Sequence, residues 1–151
     1  MPDGPILICY DDSESARRAI DAAAELLSQR DAVVLDVGPT ITTAESLATL
    51  SPVAPGAAFE ELNADSAAET ARVGVEQARL AGFDASARSE VASPTWQGIV
   101  DVADEIDASV IVLGTRAFHG LREAFEGSTA HEVAEHAGRP LLIAPPRNGH
   151  A

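Results

Sequence analysis

Lysine is missing from this chain of 151 residues; all 10 of its basic residues are arginine. That absence excludes several chemistries. A P-loop needs a lysine on the nucleotide phosphates, a Schiff-base enzyme needs one as its amine, and a receiver-type phosphorylation site needs one beside its acidic pair. Cysteine is nearly absent too. The single Cys9 allows no disulfide within one chain, and it lies inside the apolar run Ile6 to Cys9, the place of a small core residue. Aromatic residues are only 4% of the chain, so the core falls to Ala, Val, Leu and Ile. No apolar run approaches membrane-spanning length, and the first residues show no basic region leading into a long apolar segment. The expectation is a soluble cytoplasmic protein. Positive charge is scarce: a net charge of −14 opposes nucleic acid and anionic membranes, which both require clustered basic groups.

What is present reads as alternating strands and helices. Strand one is Pro5 to Tyr10, stopped by Asp11-Asp12-Ser13. Helix one spans about Glu14 to Gln29, with Ala16, Ala19, Ile20, Ala23, Ala24 and Leu27 on one stripe and Asp12 or Ser13 as its N-cap. Strand two is Ala32 to Val37, ended by Gly38-Pro39. The stretch Thr40 to Ala58, with Pro52, Pro55 and Gly56, is irregular, with a short helix over Ala44 to Leu50. Helix two spans about Glu60 to Ala81, closed by Gly82, and strand three is Ala85 to Val91. Ser93-Pro94 reads as N-cap and first-turn proline of helix three, which ends near Ile106. Strand four is Val110 to Leu113, helix four Thr129 to Ala137, and strand five Leu141 to Ala144. Thr129 and Glu132 have capping-box spacing, and Gly138 is a helix stop.

The last two strands are apolar without interruption, as strands buried on both faces are. No repeat or long linker splits the chain, so residues 1–151 form one domain. The alternation predicts an α/β fold: an open five-stranded parallel sheet with helices on both faces. Ligands of such sheets sit beyond the carboxyl ends of the strands, where strand order reverses.

Two features lie at that end. Gly127-Ser128-Thr129 opens helix four, and a helix start offers outward N–H groups and a favourable dipole to a phosphate. The same residues read equally as a simple cap. Gly114 reads either as part of a phosphate loop or as a tight turn after strand four. Asp11-Asp12 read as helix-capping carboxylates or as a ligand-holding pair. His131 and His136 are five apart, about 140° around a helix. They miss the four-residue spacing of a His-Glu-x-x-His zinc site and read as surface residues, while Trp96 reads as a packing residue. Ser13 stands in no nucleophile elbow, so a hydrolase triad is unsupported.

Three stretches carry a resemblance: PILICYDDSESARRAIDAA, EVASPTWQGIVDVADEIDASVIVLGTR and GSTAHEVAEHAGRPLLIAP. Together they resemble the universal stress protein family over nearly the whole chain. The family's ATP-binding members carry Gly-x2-Gly-x9-Gly-(Ser/Thr) after strand four. Here the spacing is kept in Gly114-Thr115-Arg116-Ala117, nine residues, then Gly127-Ser128. The resemblance implies a Rossmann-like sheet of order 3-2-1-4-5 and a homodimer built through the last strand. It implies that Asp11 holds the adenosine end of an adenine nucleotide and that the Val37 backbone meets adenine. Gly114, Thr115, Arg116, Ala117, Gly127, Ser128 and Thr129 would hold phosphates, with Mg²⁺ shared among them if ATP is bound.

This chain departs from the pattern at several places. Ala117 replaces the second glycine; if that position needs positive φ, a Cβ there costs about 1–2 kcal/mol, roughly a fivefold to thirtyfold loss of affinity. Asp12 stands where the family commonly has glycine. Glu123 and Glu126 border the loop and oppose a polyanion, while Arg116 and Arg122 act in the other sense. The expected function is an ATP-binding sensor or regulator in stress, with slow or no turnover. The alternatives are a nucleotide-free homodimer that binds proteins and, last, a slow ATP hydrolase.

Overall fold

The computed structural model describes residues 3–38, 56–115 and 129–145. Among the described residues, nine elements alternate: β1 (Ile6–Cys9), α1 (Glu14–Leu26), β2 (Asp31–Gly38), α2 (Gly56–Leu80), β3 (Asp84–Val91), α3 (Thr95–Glu105), β4 (Val110–Gly114), α4 (Thr129–His136) and β5 (Leu141–Ala144). The five strands form one parallel sheet in the order β3-β2-β1-β4-β5. β1 is central, pairing Ile8 with Val34 of β2 and with Val112 of β4. The predicted fold class and strand order are therefore both observed.

Alternation along the strands sorts the core into two layers. Ile6 and Ile8 of β1, with Tyr10 just beyond it, pack with Ala16, Ala19, Ile20 and Ala23 of α1 and with Val75 and Ala78 of α2. Leu7 of β1, Leu35 of β2 and Ile111 of β4 pack on the other face. Their partners there are Ile99, Val102 and Ala103 of α3 and Ala130 and Val133 of α4. Alanine predominates on α1, which lets the helix lie close to the sheet. Close approach of the helices to the sheet also explains two glycines. A Cβ on Gly74 of α2 would lie 2.6 Å from both the Tyr10 ring and Val34, so the helix passes directly over that ring. Gly114, at the end of β4, lies against the backbone of Ser15 in α1.

The caps follow local chemistry, with corrections to the sequence reading. Ser13 caps α1: its Oγ accepts from the Ala16 amide at 3.1 Å. That helix ends at Leu26, with Leu27 already extended, three residues short of the predicted Gln29. Ser93 is not the cap of α3; Pro94 holds that position and gives no side-chain cap bond. α2 begins at Gly56 rather than Glu60, because Ala57 and Ala58 extend the helix into a stretch whose sequence predicts a loop. Thr129 is already the first helical residue of α4, so it does not precede the helix as a cap does. Gly82 (φ +103) and Gly138 (φ +61) take the left-handed conformation expected of residues that end helices. The expected helix over Ala44 to Leu50 lies outside the described residues.

Arg139 joins α3 to the approach of β5. It donates to the Ala108 carbonyl at 2.7 Å and pairs with Asp104 at 2.6 Å, while its own side chain stays mostly buried. Asp104 is exposed, so most of the stabilisation resides in the carbonyl contact. Arg139→Ala is expected to lower stability by about 2 kcal/mol. A lower urea midpoint with unchanged slope is the check.

Candidate functional site

The carboxyl end of the sheet is where the chain changes direction on both sides of β1, with β2 on one side and β4 on the other. The rungs between β1 and β2 end there: the Tyr10 amide donates to the Leu35 carbonyl at 2.9 Å, and the chain then turns away through Asp11 and Asp12. β2 runs on for three more residues, paired only with β3. Alternate residues of a strand direct their backbone to opposite neighbours. Leu35 faces β1, and Gly38 faces β3, where its carbonyl accepts from Ala92 at 3.0 Å. Val37 therefore turns its backbone toward the place that β1 has left. Its side chain packs on the other side, where a Cβ on Gly98 of α3 would lie 3.1 Å from Val37 Cγ1.

Asp11 stands beside that gap and is exposed; its Oδ1 accepts from the Ser13 amide at 3.1 Å. Asp36 is half-buried in β2 next to Val37. Burial first, and then the Asp11 charge, push its carboxyl up to about 6, while a hydrogen bond from the Val37 backbone pulls the other way. The Val37 amide thus serves Asp36, and the Val37 carbonyl is the acceptor aimed into the gap. Sequence reasoning missed Asp36. One polar residue in an otherwise apolar strand looks like ordinary alternation, and only the end of the β1 pairing sets it apart.

The turn after β1 is tied down locally. Asp12 has φ +62, which accounts for glycine being common there in the family it resembles. Here the strained residue is anchored. Tyr10 Oη donates to Asp12 Oδ1 at 2.9 Å, and Arg17 Nη2 donates to the same oxygen at 2.6 Å. Burial and the Asp12 hydrogen bond raise the Tyr10 hydroxyl above its ordinary range. Burial, with Asp11 and Asp36 nearby, pushes the Cys9 thiol far up, so it stays protonated at neutral pH and is no nucleophile. Ser13 Oγ caps α1 and bonds to Ser15 Oγ at 3.0 Å, a capping role rather than a catalytic one.

β4 supplies the other wall. Gly114 ends the strand against Ser15, so its lack of a side chain is already required by packing. Thr115 is buried, and both its amide (3.0 Å) and its hydroxyl (3.4 Å) donate to the Ala144 carbonyl, extending the register with β5. Its amide is therefore already partnered. Thr129 is exposed at the start of α4. Arg116, Ala117, Gly127 and Ser128 lie outside the described residues, as do Glu123, Glu126 and Arg122. The structure thus places Asp11 and Val37 at the ends of adjacent strands. Gly114 comes beside the start of α1 through Ser15.

The two histidines of α4 behave as surface residues. His131 Nε2 lies 3.4 Å from Glu135 Oε1. His136 Nδ1 donates to the Glu132 carbonyl at 2.8 Å, and its ring stacks on Trp96 with centroids 4.2 Å apart. Trp96 accordingly packs between α3 and α4. Glu132, Glu135 and His136 bring one ligand atom each within 4.8 Å, but Glu135 and His136 are exposed and the His136 Nδ1 is committed to a carbonyl. Among the described residues, no helix is long and apolar enough to cross a membrane.

Comparison with known proteins agrees with this architecture. Residues 4–145 match the model of the universal stress protein family. The universal stress protein YxiE of Bacillus subtilis (strain 168) is 28% identical over 143 residues, covering 91% of this chain and 96% of that protein. The universal stress protein of Archaeoglobus fulgidus, solved in complex with dAMP, is 25% identical with a TM-score of 0.60, covering 95% of this chain and 98% of that one. A universal stress protein solved in complex with cAMP shares the fold at a TM-score of 0.67 and 21% identity, over 95% of this chain and 98% of that one. With its strand order, its β1 turn and this match along almost its whole length, the chain belongs to the universal stress protein family.

Proposed function

We propose that this protein binds an adenine nucleotide at the carboxyl end of β1, β2 and β4 and acts as a stress-linked sensor or regulator without appreciable turnover. The observation that carries the reading is the backbone edge of Val37 beyond the last β1 rung, unpaired by any strand among the described residues, with Asp11 beside it. A strand carbonyl aimed into a gap accepts from an exocyclic amino group, and a carboxylate accepts from ribose hydroxyls. The dAMP complex of the Archaeoglobus fulgidus relative supports the same ligand class. Phosphates then fall to the segment after β4 and to the start of α4, where Gly127, Ser128 and Thr129 supply N–H groups. ATP with Mg²⁺ shared among its phosphates is one form of this reading. The described residues offer no nucleophile with a positioned base at this end: Cys9 is held protonated and Ser13 is a cap.

The test is mass spectrometry of any nucleotide released from freshly purified protein, followed by calorimetric titration. An adenine nucleotide released, or bound at micromolar concentration, supports the reading. Flat titrations at millimolar nucleotide overturn it and leave the nucleotide-free interaction module.

The proposal includes a cytoplasmic homodimer paired through β5. That strand is the sheet edge, and Leu141, Leu142 and Ile143 are only half-buried in one copy. Apolar edge strands are normally covered, paired or interrupted. Leu142→Asp or Ile143→Asp is expected to give monomer or insoluble protein by size-exclusion chromatography with light scattering. A dimer that survives either substitution argues against β5 as the interface.

A further inference from the structure

β3 forms the sheet edge opposite β5. Its pairing with β2 decides which of its backbone groups are in use. The Asp84 amide donates to the Arg30 carbonyl at 2.8 Å, and the Ala92 amide to the Gly38 carbonyl at 3.0 Å. The register runs unbroken between them, so even-numbered residues turn their backbone to β2 and odd-numbered residues turn theirs outward. The Ala85 carbonyl is one of the outward groups, and Arg79 Nη2 of α2 donates to it at 3.0 Å. Among the described residues, nothing bonds to the outward backbone of Ala87, Ser89 or Val91. Side chains alternate too. Ala85 lies in the core layer beneath α2, so Arg88 and Glu90 stand on the other face. There Arg88 pairs with Glu90 at 2.7 Å and with Glu105 of α3 at 2.6 Å. Charge on an edge strand ordinarily keeps other strands away. These two charges are opposite in sign and two residues apart, which makes the edge complementary to itself.

We infer that β3 pairs antiparallel with β3 of a second copy of this chain, about a two-fold axis at Ser89. In that register Ala87 faces Val91 of the second copy and Ser89 faces its own counterpart, each pair exchanging amide–carbonyl bonds. Arg88 then stands opposite Glu90 of the second copy at the closer, non-hydrogen-bonded position. Opposite charges stabilise such a pair and like charges destabilise it. Moving the axis by one residue either way sets Arg88 against Arg88 or Glu90 against Glu90. The Ala85 carbonyl that Arg79 covers falls opposite Ser93, past the end of the strand, so its cover leaves the ladder free. The surface is separate from the β5 edge. Where both edges pair, dimers join into larger assemblies.

The experiment is sedimentation velocity over a concentration series reaching millimolar protein. The samples are the wild type, Arg88→Glu, Glu90→Arg, an equimolar mixture of those two variants, and Ser89→Pro. Each chain carries a net charge of −14, so the buffer is at physiological ionic strength, where repulsion beyond about 8 Å is screened and contact pairs persist. Thermal unfolding first confirms that each variant is folded. Pairing through β5 is common to all the samples. The expected result is an association step in the wild type that weakens roughly tenfold or more in each charge variant. One variant brings only carboxylates to the ladder and the other only guanidinium groups. Their mixture recovers the step, because the two edges are then complementary. Ser89→Pro loses it while keeping the pairing with β2, since the amide it removes faces outward. A wild type whose mass does not rise with concentration, or rises equally in every variant, overturns the inference. A mixture that recovers nothing overturns the Arg88–Glu90 register.

Discussion

Gly114→Ala is expected to unfold roughly 6–12 °C below the wild type, a loss of about 3 kcal/mol, whether or not a nucleotide is present. The reason is the neighbour rather than the backbone conformation. An added Cβ would lie inside contact distance of the Ser15 carbonyl oxygen, 2.5 Å from the Ser15 carbonyl carbon and 3.0 Å from the Ala16 amide nitrogen. All three are backbone atoms at the start of α1, in the turn that Ser13 caps and the Ser13–Ser15 hydroxyl pair holds. No rotamer change relieves such a contact; α1 or the end of β4 must shift. Gly138→Ala is the matched control. That residue has φ +61 and nothing within 4 Å of where a Cβ would stand, so it carries only the left-handed penalty of about 1–2 kcal/mol. Thermal unfolding by circular dichroism separates the two. A Gly114→Ala protein with unchanged melting temperature and lost nucleotide affinity would show that this glycine serves the ligand rather than the packing.

The second large effect is the pH dependence set by Asp36. Its carboxyl is raised from 3.8 to about 6 in the fold, so between those values the folded protein holds a proton that the unfolded chain has released. Stability from this group is therefore full below the unfolded value and declines as pH rises through the folded one. Above pH 6 the whole penalty of a half-buried carboxylate beside Asp11 is in place. Asp36→Asn removes that charge while keeping a side-chain oxygen for the Val37 amide. After allowance for partial exposure, the variant should gain about 1–2 kcal/mol at pH 7.5 and little at pH 4, with the wild-type decline between them flattened. Chemical unfolding at the two pH values checks it. A variant no more stable than the wild type at pH 7.5 contradicts the electrostatic account of this strand end.

The sequence made much of the fold legible because local signals agreed with one another. The run Val110 to Leu113 and the run Leu141 to Ala144 are apolar on both faces, and the structure pairs them with each other within the sheet. Ser13 is recognisable as a cap from its place before an amphipathic stretch, and Gly82 and Gly138 as helix stops. Signals that depend on distant partners are not legible. Gly114 has the look of a loop glycine, since its contact with Ser15 joins residues about a hundred positions apart. Asp36 gives no local sign, because its meaning comes from where β1 stops. Ser93 matches the capping preference, yet Pro94 occupies the cap position, so the preference alone misplaces the start of α3 by one residue. The placement of Asp11 and Val37 side by side at the ends of β1 and β2 is legible through the family resemblance. The commitment of the Thr115 amide to Ala144 is not, since it needs the register of β5.

The measurement that tests the central claim most directly is a titration of the ¹⁵N-labelled protein with AMP, followed by amide chemical shifts. The account predicts saturable shifts concentrated at Asp11 to Ser13, Leu35 to Gly38 and Gly114 to Thr115, with the α3 and α4 faces around Trp96 and His136 unmoved. Shifts confined to α3 and α4, or a spectrum unchanged at millimolar AMP, would contradict a nucleotide site at the carboxyl end of β1, β2 and β4.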